Sequence, residues 1–203
     1  LYLPTLIGSF FLMVPFMIIG LKKQKETQMF SAAVALLTLA LLLLWYLPTN
    51  ITTLIILVMM FFTAFNYLEA TMPSILSRIA PAGVKGSVMG IYSSSQFLGA
   101  FAGGILGGFI AGEFGEQTIF LVTGLFALVW LFLTLGMKPL KKSKAYSFST
   151  NINNDEQAHE VAQKLSEMPG VIEVTIMHDE AVAYLKVDDK TVDILSIKAL
   201  LNE

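Results

Sequence analysis

Glu69 is the one ionisable side chain that falls well inside a long apolar run, in the stretch FNYLEATMPS. A charge at membrane depth is expensive, so such a residue normally faces a cavity or a partner, and a carboxyl group there suits a proton-coupled step. Asn66 lies one helical turn before it and Thr63 two turns before it, on the same expected face. The competing reading is a structural carboxylate bonded to a neighbouring helix. Gln96 and Tyr92 occupy a later apolar run, where the amide would hydrogen-bond either a substrate or another helix. On that same run Gly99, Gly103 and Gly107 fall four apart and stack on one helix face, which Gly104 and Gly108 widen. Small residues at this spacing let helices approach closely in a bilayer. The face is either a packing surface alone or a seam along which helices also slide. Gly86 and Gly90 precede it at the same spacing. Pro73 and Pro81 flank the end of the preceding run, where Pro73 is expected to kink the helix. The Met and Phe residues of VMMFFTAF read as packing or lipid-facing, with a wall for an apolar substrate as the second reading.

Other chemistry is poorly represented. The chain has no cysteine, so disulfides, thiolate metal sites and cysteine nucleophiles are excluded. His159 and His178 are the two histidines and stand on separate expected elements; no metal or cofactor is assigned to them. No Ser-His-Asp set, phosphate-binding glycine loop or carboxylate pair is evident, so an enzyme is not expected.

The elements that must position these residues are membrane spans. Of 203 residues 55% are hydrophobic and 14% charged, with a mean hydropathy of +0.70, which fits a membrane protein with a soluble appendage. Apolar runs predict spans over about 1–20, 29–47, 52–77, 86–112 and 118–137. Pro15 should bend the first, and Trp45 and Tyr46 form an interfacial pair on the second. Pro48-Thr49-Asn50 and Glu113-Phe114-Gly115-Glu116 read as loops. Loop cations Lys22, Lys23, Lys25, Arg78, Lys85, Lys138, Lys141, Lys142 and Lys144 all fall on one side, which the positive-inside rule makes cytoplasmic. The chain opens on Leu inside an apolar run with no basic leader or cleavage site, so a truncated start is expected rather than a signal peptide.

Charge is split along the chain. Residues 1–145 carry 9 Lys/Arg against 4 Asp/Glu, and residues 146–203 carry 4 against 11. An acidic tail speaks against nucleic-acid binding. KPLKKSKA, at 138–145, reads as a linker that either meets anionic headgroups or is an ordinary stop-transfer flank. Beyond it the pattern predicts a strand at 146–149, and a helix at 155–168 with Ala158, Val161, Ala162 and Leu165 on one face. A strand at 171–177 follows, with Ile172, Val174 and Ile176 on one side, then a turn at His178-Asp179-Glu180 and a strand at 181–187. The last element is a helix at 191–202, with Leu195 and Ala199 among its buried candidates. This β-α-β-β-α order is that of a ferredoxin-like sandwich.

The segment PSILSRIAPAGVKGSVMGIYSSSQFLGAFAGGILGG resembles the tenth-to-eleventh helix region of major facilitator superfamily drug:proton antiporters. FNYLEATMPSILS, followed by that segment and by an appended small domain, is similar to a subgroup of those transporters. The resemblance implies a twelve-helix transporter of two six-helix halves working by alternating access, the five spans here corresponding to the eighth through twelfth helices. The first seven would then precede Leu1, as the missing N-terminal half. LKKQKETQ is similar to a degenerate second copy of the family's cytoplasmic loop motif: Gly20 and the basic residues remain, the acidic residue and Arg pattern do not. In the family a first-half loop contacts the start of the eleventh helix, which maps onto Gly83, Lys85, Gly86, Ser87 and Gly90. A carboxylate would lock there in the outward-open state. The tail also distantly resembles heavy-metal-associated domains, but NINNDEQAHEV lacks their cysteines. The working reading of the tail is regulation or self-association.

The expected architecture is an all-α transmembrane bundle over residues 1–142 plus a small α+β ferredoxin-like domain over residues 143–203. The expected protein is a multi-pass inner-membrane transporter that exports small amphipathic or drug-like molecules against proton entry, with its C-terminal domain cytoplasmic. Its partners are the bilayer, the substrate, protons and the other half. The alternative is a membrane-anchored sensor whose cytoplasmic domain binds a ligand.

Overall fold

The structure, a computed structural model, describes residues 2–22, 25–47, 50–81, 83–137, 144–150, 152, 154–177, 181–188 and 191–201. Their order is α1 (Tyr2–Lys22), α2 (Glu26–Tyr46), α3 (Ile51–Ile79), α4 (Lys85–Phe114), α5 (Glu116–Leu135), β1 (Lys144–Ser149), α6 (Asp155–Ser166), β2 (Val171–Met177), β3 (Val182–Val187) and α7 (Ile194–Leu201). The first five helices are long and apolar enough to cross a membrane. Two compact units result: Leu1–Ser74 with Ser93–Leu140, and Ile75–Tyr92 with Lys141–Glu203.

In the first unit α2 packs on α5. Phe30, Ala33, Val34, Leu37, Ala40, Leu41 and Leu44 give α2 its buried stripe, a 3.6-residue periodicity. Phe30 meets Trp130 edge-on with ring centres 5.9 Å apart, and the Ser31 hydroxyl donates to the Thr134 carbonyl at 3.3 Å. The closest approach is at Gly124, where a Cβ would lie 2.7 Å from Leu42 Cδ2. Lipid gives no hydrophobic drive between helices, so this small residue is what lets the two surfaces touch. The hydroxyls of Thr38, Thr63 and Thr71 donate to carbonyls four residues back, so these polar groups are satisfied within their own helices.

In the second unit the sheet is antiparallel with order β1-β3-β2. Its inner face buries Ala183, Leu185 and Val187 against Leu165 of α6 and Ile197 of α7, ringed by Tyr146, Phe148, Val161, Val174 and Ile176. Asn154 caps α6 by accepting from the Gln157 N–H at 2.7 Å.

Several sequence expectations shift. The span ends fall one to three residues from the predicted ones. Glu113 and Phe114 complete α4 and Glu116 opens α5, leaving Gly115 alone between them, so the acidic stretch is not a loop. Its φ of +86°, ψ of 155° is open to glycine alone. Pro73 sits inside α3, which continues through it to Ile79. Lys144 and Ala145, expected in the linker, already belong to β1. Ile172 does not share a face with Val174 and Ile176: a β-bulge between Val171 and Glu173 inserts one residue, so Val171 turns inward and Ile172 is left 49% exposed. The last helix is shorter than predicted, with Ile197 as its buried residue, while the side chains of Leu195 and Ala199 lie outside the described set. The turns at Pro48-Thr49 and His178-Asp179-Glu180, and most of the 138–145 linker, also lie outside it.

Candidate functional site

The polar residues of the first unit concentrate where α3 meets α1. Ser9 is fully buried and donates to the Leu6 carbonyl at 2.8 Å, while the Asn66 amide donates to Ser9 Oγ at 3.3 Å. Thr63, buried one turn away on α3, and Thr5, buried one turn away on α1, extend this seam. Close packing allows it: a Cβ on Gly8 would lie 3.2 Å from Met59 Cε. Phe16 closes the seam edge-on against buried Tyr67, with ring centres 6.2 Å apart. The sequence marked Asn66 and Thr63 but missed Ser9. The Gly8-Ser9 pair of small residues inside an apolar run was its available signal.

Glu69 is placed differently. It is exposed on the surface of this chain and forms no hydrogen bond or ion pair among the described residues. It continues the line of Phe65 and Phe61, four and eight residues before it. Those two rings stack with centres 5.8 Å apart and line an apolar groove of about 510 Å³. Leu37 and Leu41 of α2 and Phe120, Thr123, Phe126 and Trp130 of α5 complete it. A stripe read from VMMFFTAF as packing or lipid-facing is therefore also a groove wall.

Gln96 is exposed and Tyr92 half-buried on α4, and no hydrogen bond joins Gln96 to Glu69 or Asn66 among the described residues. No described residue of α4 is buried. A Cβ placed on Gly86, Gly90, Gly99, Gly103 or Gly107 would meet nothing within 4 Å. The ridge of Gly99, Gly103 and Gly107 is therefore uncovered by this chain, as are Gly86 and Gly90, which nine residues of helix turn to the opposite side, whereas the tightest glycine contact of the first unit, at Gly124, had no motif to mark it. No group of three or more His, Cys, Asp or Glu able to hold a metal occurs among the described residues.

The sequence profile described as Major Facilitator Superfamily matches residues 3–181. The chain is 39% identical over 204 residues to the inner membrane transport protein YajR of Escherichia coli (strain K12), an alignment covering 100% of this chain and 44% of that protein. It is 34% identical over 102 residues to an uncharacterized transporter of Buchnera aphidicola subsp. Acyrthosiphon pisum (strain APS), covering 50% of this chain and 26% of the relative. A similar protein from Buchnera aphidicola subsp. Schizaphis graminum (strain Sg) is 43% identical over 75 residues, 36% of this chain and 19% of the relative. The chain thus spans less than half the length of the curated relatives it matches.

Proposed function

The chain belongs to the major facilitator superfamily, and from that premise we propose that it forms part of a secondary active transporter of the inner membrane that exports small amphipathic or drug-like molecules in exchange for protons. The alignment of the whole of this chain with part of an inner membrane transport protein carries this reading. In it, residues 1–142 are the spans and residues 143–203 a ferredoxin-like domain held in the cytoplasm. The β1-β3-β2 order supports the ferredoxin-like assignment, and the gathering of nine loop cations on one side supports the orientation.

Each site residue has a role in this reading. Glu69 carries the proton, since an unpaired carboxylate within a span is tolerated only where it meets water, a partner or a proton. The aromatic groove has the volume and lining of a small-ligand site, and Glu69 shares the helix face of its Phe61 and Phe65. Asn66 fixes α3 against α1 through Ser9, which is a positioning role. Tyr92 and Gln96 are the polar groups that α4 offers to the substrate cavity of the whole transporter, and its ridge of Gly99, Gly103 and Gly107 is the moving seam against the rest of it, with Gly86 and Gly90 as packing positions on the opposite side. Pro73 weakens α3 between Glu69 and its cytoplasmic end, because it gives up one intrahelical hydrogen bond.

The test is flux in inverted vesicles containing the full-length protein under an imposed proton gradient. Glu69→Gln, which keeps size and removes the charge, should lose gradient-driven export by at least tenfold while retaining downhill exchange. Unchanged coupled transport in this variant removes Glu69 from the mechanism, and absence of gradient dependence in the wild type removes the proton.

A further inference from the structure

The second unit joins the sheet to a stretch of chain far away in sequence, residues 75–92, which holds the end of α3, the turn after it and the start of α4. The inner face of the sheet is covered by α6 and α7. Its outer face carries Ser147, Thr175, Met177, Tyr184 and Lys186, the residues alternating with the core set. A two-layer sandwich leaves that face open unless something docks there.

Lys186 is 5% exposed although charged. Its ammonium donates to the Ala80 carbonyl and, at 3.4 Å, to the Ile79 carbonyl, and it pairs with Glu173 at 3.1 Å. Those carbonyls are the last of α3 and the one just after it, where unpaired C=O groups and the negative end of the helix dipole accumulate. A buried ammonium needs such satisfaction, and an unmatched one would be strongly disfavoured. Four residues beyond Ile79, Gly83 turns with φ of +87°, and its missing Cβ would lie 2.9 Å from Met177 Cε, 3.4 Å from Tyr184 and 3.6 Å from Thr175 Cγ2. The fit is tight there and loose at its edge, where a cavity of about 320 Å³ opens between Gly86 and Ser147 and Glu173 stays one-third exposed. A contact with a tight centre and a wet rim has the anatomy of an interface rather than of a core.

We propose that the outer face of this sheet is a docking surface whose partner is the α3–α4 turn of the same chain, with Lys186 as the anchor that caps α3. Anything that competes for Lys186 or Glu173 frees the turn that joins the two helices carrying Glu69 and the glycine face. The docking does not require that the protein move protons, and its test uses no flux.

The full-length protein carries Gly83→Cys with Thr175→Cys in a cysteine-free background; this chain contributes no cysteine of its own. Oxidation in the membrane should join the pair within one chain, giving a reducible band shift in most molecules. Gly83→Cys paired with Ser166→Cys, on an exposed position of α6, should stay unjoined. Adding Lys186→Met should cut the yield at least fivefold, and Lys186→Arg, which keeps the cation, should restore it. Failure of the Gly83–Thr175 pair to join, or equal yield with the α6 control, overturns the docking. Full yield in Lys186→Met overturns the anchor. The cross-link yields do not depend on transport, so a wild type that joins the pair but shows no proton-driven export in the separate flux assay would count against the transport reading alone.

Discussion

Gly103→Leu and Gly124→Leu make the same chemical change in two apolar helices, and the structure assigns them opposite outcomes. At Gly103 a Cβ meets nothing within 4 Å, so the new side chain adds no strain within this chain. Replacing a mid-helix glycine by leucine should favour the helix by about 1 kcal/mol. At Gly124 the first added carbon already lies 2.7 Å from Leu42 Cδ2, 3.2 Å from Leu42 Cγ and 3.5 Å from Leu41 Cβ. Three further carbons must enter the same space, and overpacking of this kind costs about 1–3 kcal/mol, which exceeds the propensity gain. Thermal unfolding of the full-length protein in detergent should therefore leave Gly103→Leu at or above the wild type and lower Gly124→Leu. Transport should separate them the other way. If the α4 face packs on the rest of the transporter, a leucine at Gly103 costs about 1–3 kcal/mol in the packed state alone, and about 1.4 kcal/mol is a factor of ten in its population. Flux should then fall about tenfold in a protein that melts normally. Wild-type flux in Gly103→Leu would mean that the face meets only lipid, and a Gly124→Leu protein as stable as Gly103→Leu would refute the close approach of α2 and α5.

Gly170→Ala should destabilise the sheet domain by about 2–4 kcal/mol, because φ of +87° disfavours any side chain and its Cβ would lie 2.7 Å from the Val192 backbone nitrogen and 2.8 Å from the Thr191 carbonyl carbon, which cannot rotate away. Gly83→Ala has the same φ but its one contact closer than van der Waals distance is the flexible end of Met177, so it should lose about 1–2 kcal/mol; proteolysis of the tail across a urea series ranks the two, and equal losses would refute the backbone clash. The hydrogen bond and charge of Lys164 hold the Glu160 carboxyl below its ordinary 4.5. A depressed folded value contributes stability above about pH 4.5 that is lost as pH falls through the lower value, so Lys164→Gln should move the Glu160 titration, followed by NMR, back up toward 4.5.

What could be read in advance divides along a physical line. The five spans were legible because apolar length is a property of the chain itself, and α6 was legible because the spacing of Ala158, Val161, Ala162 and Leu165 is local. The facing of Ile172 was not, since the bulge beside it exists only in the pairing of β2 with β3. Asn66 could be marked as a polar residue at depth, but its bond to Ser9 depends on how α1 lies against α3, 57 residues apart in sequence. Glycines were weighed by their repeats, which favoured α4. Gly124 stands outside any repeat and acquires meaning only when Leu42 is brought against it. Lys186 read as an alternating strand residue, and nothing local announces that Ala80 lies over it.

Gly115 has a mechanical consequence. One residue separates a 30-residue helix from a 20-residue one, so a single pair of torsions is the whole hinge between them. A rigid rod joined to another through so short a pivot cannot roll about its own axis without dragging its neighbour. In the proposed transport cycle, any displacement along α4 would therefore reach the first turn of α5 directly, and α5 touches α2 at Gly124.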